Sequence, residues 1–176
     1  MSARHSAVTP FDRILQIVEH AGTVRARALM HRMIDEIEGP ADVPQWASAI
    51  QLARDLGAVG ATECYALLDI VTEEAVGSLT ETDSELRRLT DAMRMIATAD
   101  GLSDEEDYYV DEAPAEWLEL NRQWDQRFDQ LRADLFRRIG EPGMADELLL
   151  SQETFEDRSR EGRSAMFDVA EEDDIV

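Results

Sequence analysis

The sequence predicts an all-α fold, an irregular antiparallel bundle of about six to eight helices. Three observations predict it. Apolar residues recur every three or four positions along most of the chain. All five prolines and most of the nine glycines fall where such a segment would start or stop. No stretch of useful length alternates with period two, so no strand is expected.

The elements follow in order. Thr9 caps a helix whose first turn holds Pro10, Phe11 and Asp12, with Phe11, Ile14, Leu15, Val18 and Ala21 inward. A second runs from Val24 to Glu38, with Ala26, Met30, Met33, Ile34 and Ile37 inward, and stops at Gly39-Pro40. A third opens at Pro44 and carries Trp46, Ala49, Ile50, Ala53 and Leu56 to Gly57. A fourth spans Thr62 to Val76 and presents Cys64, Leu67, Leu68, Val71 and Ala75 before Gly77. Thr82 with Glu85 forms a capping box for a fifth, whose stripe is Leu86, Leu89, Met93 and Ile96. A faint echo between residues 28–39 and 66–77 is too short to define a repeat array.

The longest amphipathic pattern runs from Pro114 to Ile139. Its apolar residues are Trp117, Leu120, Trp124, Phe128, Leu131, Leu135 and Ile139, widened by Leu118 and Phe136. The spacing is an eleven-residue repeat, which suits a nearly straight helix rather than a left-handed zipper. Trp117, Trp124 and Phe128 are expected in the core. Glu119–Arg122, Asp129–Arg132 and Asp134–Arg138 are expected on the opposite, solvated face. Gly140 supplies a left-handed stop and Pro142 prevents continuation. A short helix from Met144 to Leu150 closes the domain with Leu148 and Leu149.

From Ser151 the periodicity fades. Residues 1–150 are therefore expected to form a single helical domain, and 151–176 an acidic, mobile tail. Ala165-Met166-Phe167-Asp168-Val169 within it has the character of a segment that folds on a partner.

Charge is the strongest compositional signal. The net charge is −22, and all seventeen basic residues are arginine. A lysine-free acidic chain fits adaptation to high salt or a GC-rich genome, and neither is a function. The distribution is uneven. Residues 1–60 carry seven acids against six arginines, whereas residues 61–112 carry fifteen against three. The first third is thus expected either to be heavily buried or to meet something other than solvent.

Motifs for chemistry are missing. Asp100-Gly101-Leu102-Ser103-Asp104 opens like a calcium loop, but Leu102 takes the third position, Glu105 the sixth and Asp111 the twelfth. Asp100-Gly101 followed by Asp104-Glu105-Glu106 resembles the loop of TerB-like tellurite-resistance domains over that short stretch, and implies nothing further for this chain. Ser103 and Glu106 suit the cap of a short helix that tucks Tyr108, Tyr109 and Val110 onto the core. His5, His20 and His31 stand in no metal-ligand spacing. Cys64 lies on an apolar face beside Glu63, where burial and a nearby acid oppose a thiolate. No GxSxG, P-loop or dinucleotide fingerprint occurs. No catalytic residue, metal ligand or cofactor is assigned.

The chain reads as a non-enzymatic helical protein–protein interaction module: an adaptor, a small chaperone or a regulatory subunit. Its partner is another protein, and self-association is compatible with the sequence. The near-neutral N-terminal helices are expected to offer the contact surface. Arg25, Arg27 and Arg32 form one candidate contact patch, with Phe167 of the tail as a second. The alternative is an acidic mimic of nucleic acid that occupies a basic groove on a partner. Direct nucleic-acid binding is disfavoured, because the overall field repels phosphate. The longest apolar run, Cys64–Leu68, is far short of a membrane span. With no secretory leader visible in the first ten residues, a cytoplasmic location is expected.

Overall fold

The computed structural model describes residues 8–102 and 113–167. They are all-helical, with eight helices: α1 (Pro10–Glu19), α2 (Val24–Asp35), α3 (Val43–Asp55), α4 (Ala61–Gly77), α5 (Ser84–Ala99), α6 (Ala115–Arg138), α7 (Pro142–Leu150) and α8 (Gln152–Phe167). The expected short helix at Ser103–Glu106 with Tyr108, Tyr109 and Val110, and the residues beyond Phe167, lie outside the described residues.

Local chemistry sets the ends. The Thr9 hydroxyl accepts from the Asp12 amide at 3.1 Å while the Asp12 carboxylate accepts from the Thr9 amide, closing a capping box. At α5 the cap is Asp83 rather than Thr82, its carboxylate accepting from the Glu85 and Leu86 amides. Asp83 stands one residue closer to the helix and offers a carboxylate in place of a hydroxyl. α3 and α6 end in matching Schellman turns. Gly57 (φ 73°) and Gly140 (φ 83°) take the left-handed position. The Ala58 and Glu141 amides then reach back to the Ala53 and Phe136 carbonyls, each at 2.9 Å.

α4 is the axle. It is buried nearly all round, because α3, α6 and α8 all pack on it. α1 packs on α2 and α3, and α7 bridges α6 and α8. Trp46, Phe136 and Phe155 are the bulkiest fully enclosed side chains. Ile14, Ile17, Ala26, Leu29, Met33, Val43, Trp46 and Ile50 are all core. Burial does not account for the near-neutral first third: α2 buries only Ala26, Leu29 and Met33, and much of that third is exposed. The expected inner faces shift slightly. Ala21 and Leu56 are exposed, while Ile17 and Leu29 take the inward positions.

The reading of a tail from Ser151 needs correction. Residues 152–167 form α8, which packs along α4. Its buried face is Phe155, Ser159, Gly162, Met166 and Phe167. Gly162 lets the two helices cross closely. A Cβ there would collide with the Thr62 carbonyl oxygen and stand 2.7 Å from the Ala66 Cβ. Two further bonds pin the C-terminal end of α8: the Gly22 amide donates to the Met166 carbonyl at 2.6 Å, and Arg27 Nε to the Phe167 carbonyl at 2.9 Å.

Gly162→Ala is therefore expected to destabilise the fold by about 1–3 kcal/mol through overpacking. Gly143→Ala, where the added methyl meets nothing within 4 Å inside α7, is expected to stabilise by about 0.5–1 kcal/mol. Urea unfolding of both variants checks this opposite pair of signs.

Candidate functional site

Two places on the fold depart from ordinary packing: a buried ionic centre between α4, α6 and α8, and a two-helix arm made by α5 and the first half of α6.

The ionic centre is built around Asp69, which is 3% exposed in the middle of α4. One carboxylate oxygen accepts from Arg132 Nη2 of α6. The other accepts from the Ser159 hydroxyl and from Arg163 Nη2 at 2.7 Å, both on α8. Arg163 Nη2 also reaches Glu73 at 2.8 Å, one turn further along α4. Arg132 lies over the Phe155 ring at 5.4 Å and is itself buried. Burial, followed by the Arg163 charge, lowers the Arg132 pKa to about 10, so the guanidinium stays charged at neutral pH. Phe155 contacts Tyr65 and Phe136 at centroid distances of 5.1 and 5.8 Å, so three helices share one aromatic cluster beside the charges. Burial, then the Glu147 carboxylate, pushes the Tyr65 phenol above its usual range.

Around this centre carboxylates outnumber their partners. Asp129 stands 3.7 Å from Arg132. Burial raises it to about 6, and the Asp125, Glu156 and Glu73 charges add to the effect. Asp125 is also raised, by burial and then by Glu156. A surface cavity of about 300 Å³ opens here, lined by Glu73, Glu156, Ser159, Arg160 and Arg163 among others.

The arm is different in kind. Among the described residues α5 packs on α6 and makes no other substantial helix contact. Two bonds fix an antiparallel register: Arg127 to Asp83 at 2.5 Å and Trp124 Nε1 to the Thr90 hydroxyl at 3.2 Å. Trp124 stacks on Phe128 at 4.9 Å. The expected core residues Trp117, Trp124 and Phe128 are only half-buried. Leu118 is 38% and Met95 74% exposed. The α6 stripe therefore divides: among the described residues its first half faces α5, and its second half, with Ala133, Leu135 and Phe136, enters the core. Arg132, placed on the solvated face from sequence, turns inward because α4 supplies Asp69 as its counter-charge.

The residues singled out from sequence are not brought together as one site. Arg25 and Arg32 are exposed on α2. Arg27 is also exposed, but its Nε is engaged in holding the end of α8. Phe167 is buried and therefore does not offer an anchor to a partner. Cys64 is buried, and burial raises its thiol pKa. Among the described residues no group of three or more His, Cys, Asp or Glu side chains is placed to hold a metal. No helix among them is long and apolar enough to cross a membrane. Asp69, Arg132, Ser159 and Arg163 were missed from sequence, because charges 63 to 94 positions apart carry no local signal.

Comparison with known proteins returns no matching family model, no significantly similar curated protein and no similar solved structure.

Asp69→Ala leaves Arg132 buried without its main counter-charge, and is expected to cost about 3–5 kcal/mol of stability. Asp69→Leu combined with Arg132→Met and Ser159→Ala is expected to recover most of that loss, since Arg163 keeps Glu73 and no buried polar partner of Asp69 is left unpaired. Chemical denaturation of the single and triple variants tests this; a triple variant as weak as the single would contradict it.

Proposed function

We propose that the chain is a non-enzymatic protein–protein interaction module, an adaptor or regulatory subunit, and that the α5–α6 arm is its contact surface. The observation that supports this reading is the one-layer construction of the arm. A helical layer normally buries its apolar stripe against a second layer. Among the described residues α5 packs on α6 alone, and Leu118 and Met95 remain open beside a half-buried Trp124–Phe128 pair. Rigid aromatic side chains at a partly open seam are the usual anchors of a helix-docking surface. The Trp124–Thr90 and Arg127–Asp83 bonds hold that surface in one arrangement before any partner arrives.

This reading moves the contact surface from the N-terminal helices to the arm. For the described surface of the arm it also outranks acidic mimicry. Mimicry needs a continuous acidic face, whereas arm acids are interleaved with arginine: Glu85 with Arg88 at 2.7 Å, Asp91 with Arg94 at 3.6 Å, Glu119 with Arg122 at 2.6 Å.

The test is a crosslinked capture from native lysate with wild-type, Leu118→Asp and Met95→Asp chains, at the source's own ionic strength and at raised salt. Both substitutions sit at exposed positions and leave the fold intact, which circular dichroism checks. A protein retained at raised salt by the wild type and lost by both variants supports the proposal. Binding abolished by salt alone points to mimicry. Capture indifferent to the variants removes the arm from consideration.

A further inference from the structure

The cavity beside the ionic centre carries unmatched charge of both signs. Among the side chains that line it, Asp69, Glu73 and Glu156 are carboxylates, and Arg132, Arg160 and Arg163 are guanidiniums. The lining therefore carries no net charge. Within it, Asp69 and Glu73 are already engaged by Arg132 and Arg163. What is left over is a surplus of donors and one free acceptor. Arg132, whose side chain is only 10% exposed, keeps an Nε with no acceptor, and so does Arg163. Arg160 stands at the rim with only Asp157 beside it, at 3.5 Å. Glu156 makes no hydrogen bond or ion pair to any described residue.

Glu156 and Arg160 are four positions apart on α8, about 6 Å along the helix axis. They do not pair with one another, because Arg160 turns to Asp157. An unused carboxylate and unused guanidinium donors thus stand about one turn apart in the same cavity.

We propose that this cavity binds a small zwitterion, an α-amino acid held with its carboxylate against Arg160 and Arg163 and its ammonium against Glu156. Ligands of a single charge are opposed. A free anion meets Glu73 and Glu156 and the field of a chain with net charge −22. A free cation meets three guanidiniums. A molecule that carries both charges meets neither penalty and supplies each unused group with its partner. The volume, about 300 Å³, is at the lower end for small-molecule sites and suits an amino acid better than a nucleotide. The floor is fixed in advance, since Ser159 and Arg163 are both tied to Asp69, so little ordering remains for binding to bring about.

Isothermal titration calorimetry of the full chain tests this, with each of the twenty standard L-amino acids as probe. At least one is expected to bind. Its amide, which lacks the carboxylate charge, and its N-acetyl derivative, which lacks the ammonium, should each bind about tenfold more weakly or worse. Glu156→Gln and Arg160→Gln lie at exposed positions and keep the fold, which urea unfolding checks. Each should weaken binding of the parent amino acid about fivefold. No binding by any probe at millimolar concentration overturns the site. So does a derivative that binds as well as its parent, or binding indifferent to either substitution. None of these readouts involves the arm, so the two proposals fail separately.

Discussion

The Asp69 carboxylate is the constraint on which the arrangement of α4, α6 and α8 depends. A charge at the centre of the most enclosed helix is expensive unless every lone pair is used. Arg132, Ser159 and Arg163 use them. Because those groups come from two other helices, satisfying Asp69 fixes the register of both against α4. Apolar packing alone tolerates sliding by a turn; this set of bonds does not. The pair need not add net stability to do so, since its value lies in excluding other registers.

Arginine is suited to that task in a way lysine is not. Arg132 reaches both Asp69 and Asp129, and Arg163 reaches both Asp69 and Glu73. A planar fork with several donors divides between two acceptors while remaining charged under desolvation. A lysine-free composition therefore has a structural consequence here, whatever its genomic or ecological origin. It gives an acidic chain cations that can be buried.

What was legible in the sequence was whatever local chemistry decides. The Thr9 cap, the glycine stops at Gly57 and Gly140, and the all-helical class are read from neighbouring residues and hold in the structure. What was not legible was decided at long range. Arg132 looks like a surface ion-pair residue beside Asp129 until α4 is folded against it. α8 was missed for a related reason. Phe155, Ser159, Gly162 and Met166 follow helical spacing, 4, 3 and 4 apart, and all are buried. Yet the two middle positions are a hydroxyl and a glycine, so a search for apolar periodicity sees only isolated Phe and Met. The signal was a face of small residues, which becomes meaningful only opposite Thr62 and Ala66.

The molecule is therefore uneven by construction. Around α4, burial is deep and the Asp69 carboxylate is met by named partners on two other helices. At the arm, two helices lean on one another and leave Leu118 and Met95 open, whereas α8 packs along α4 and joins the core through Phe155, Met166 and Phe167. Local stability in proteins follows the density of buried contacts, and segments that move or bind are drawn from its low end. The arm is the low-density region, and α6 ties it to the rigid part: that helix begins beside α5 and ends in the core, where Arg132 meets Asp69 of α4.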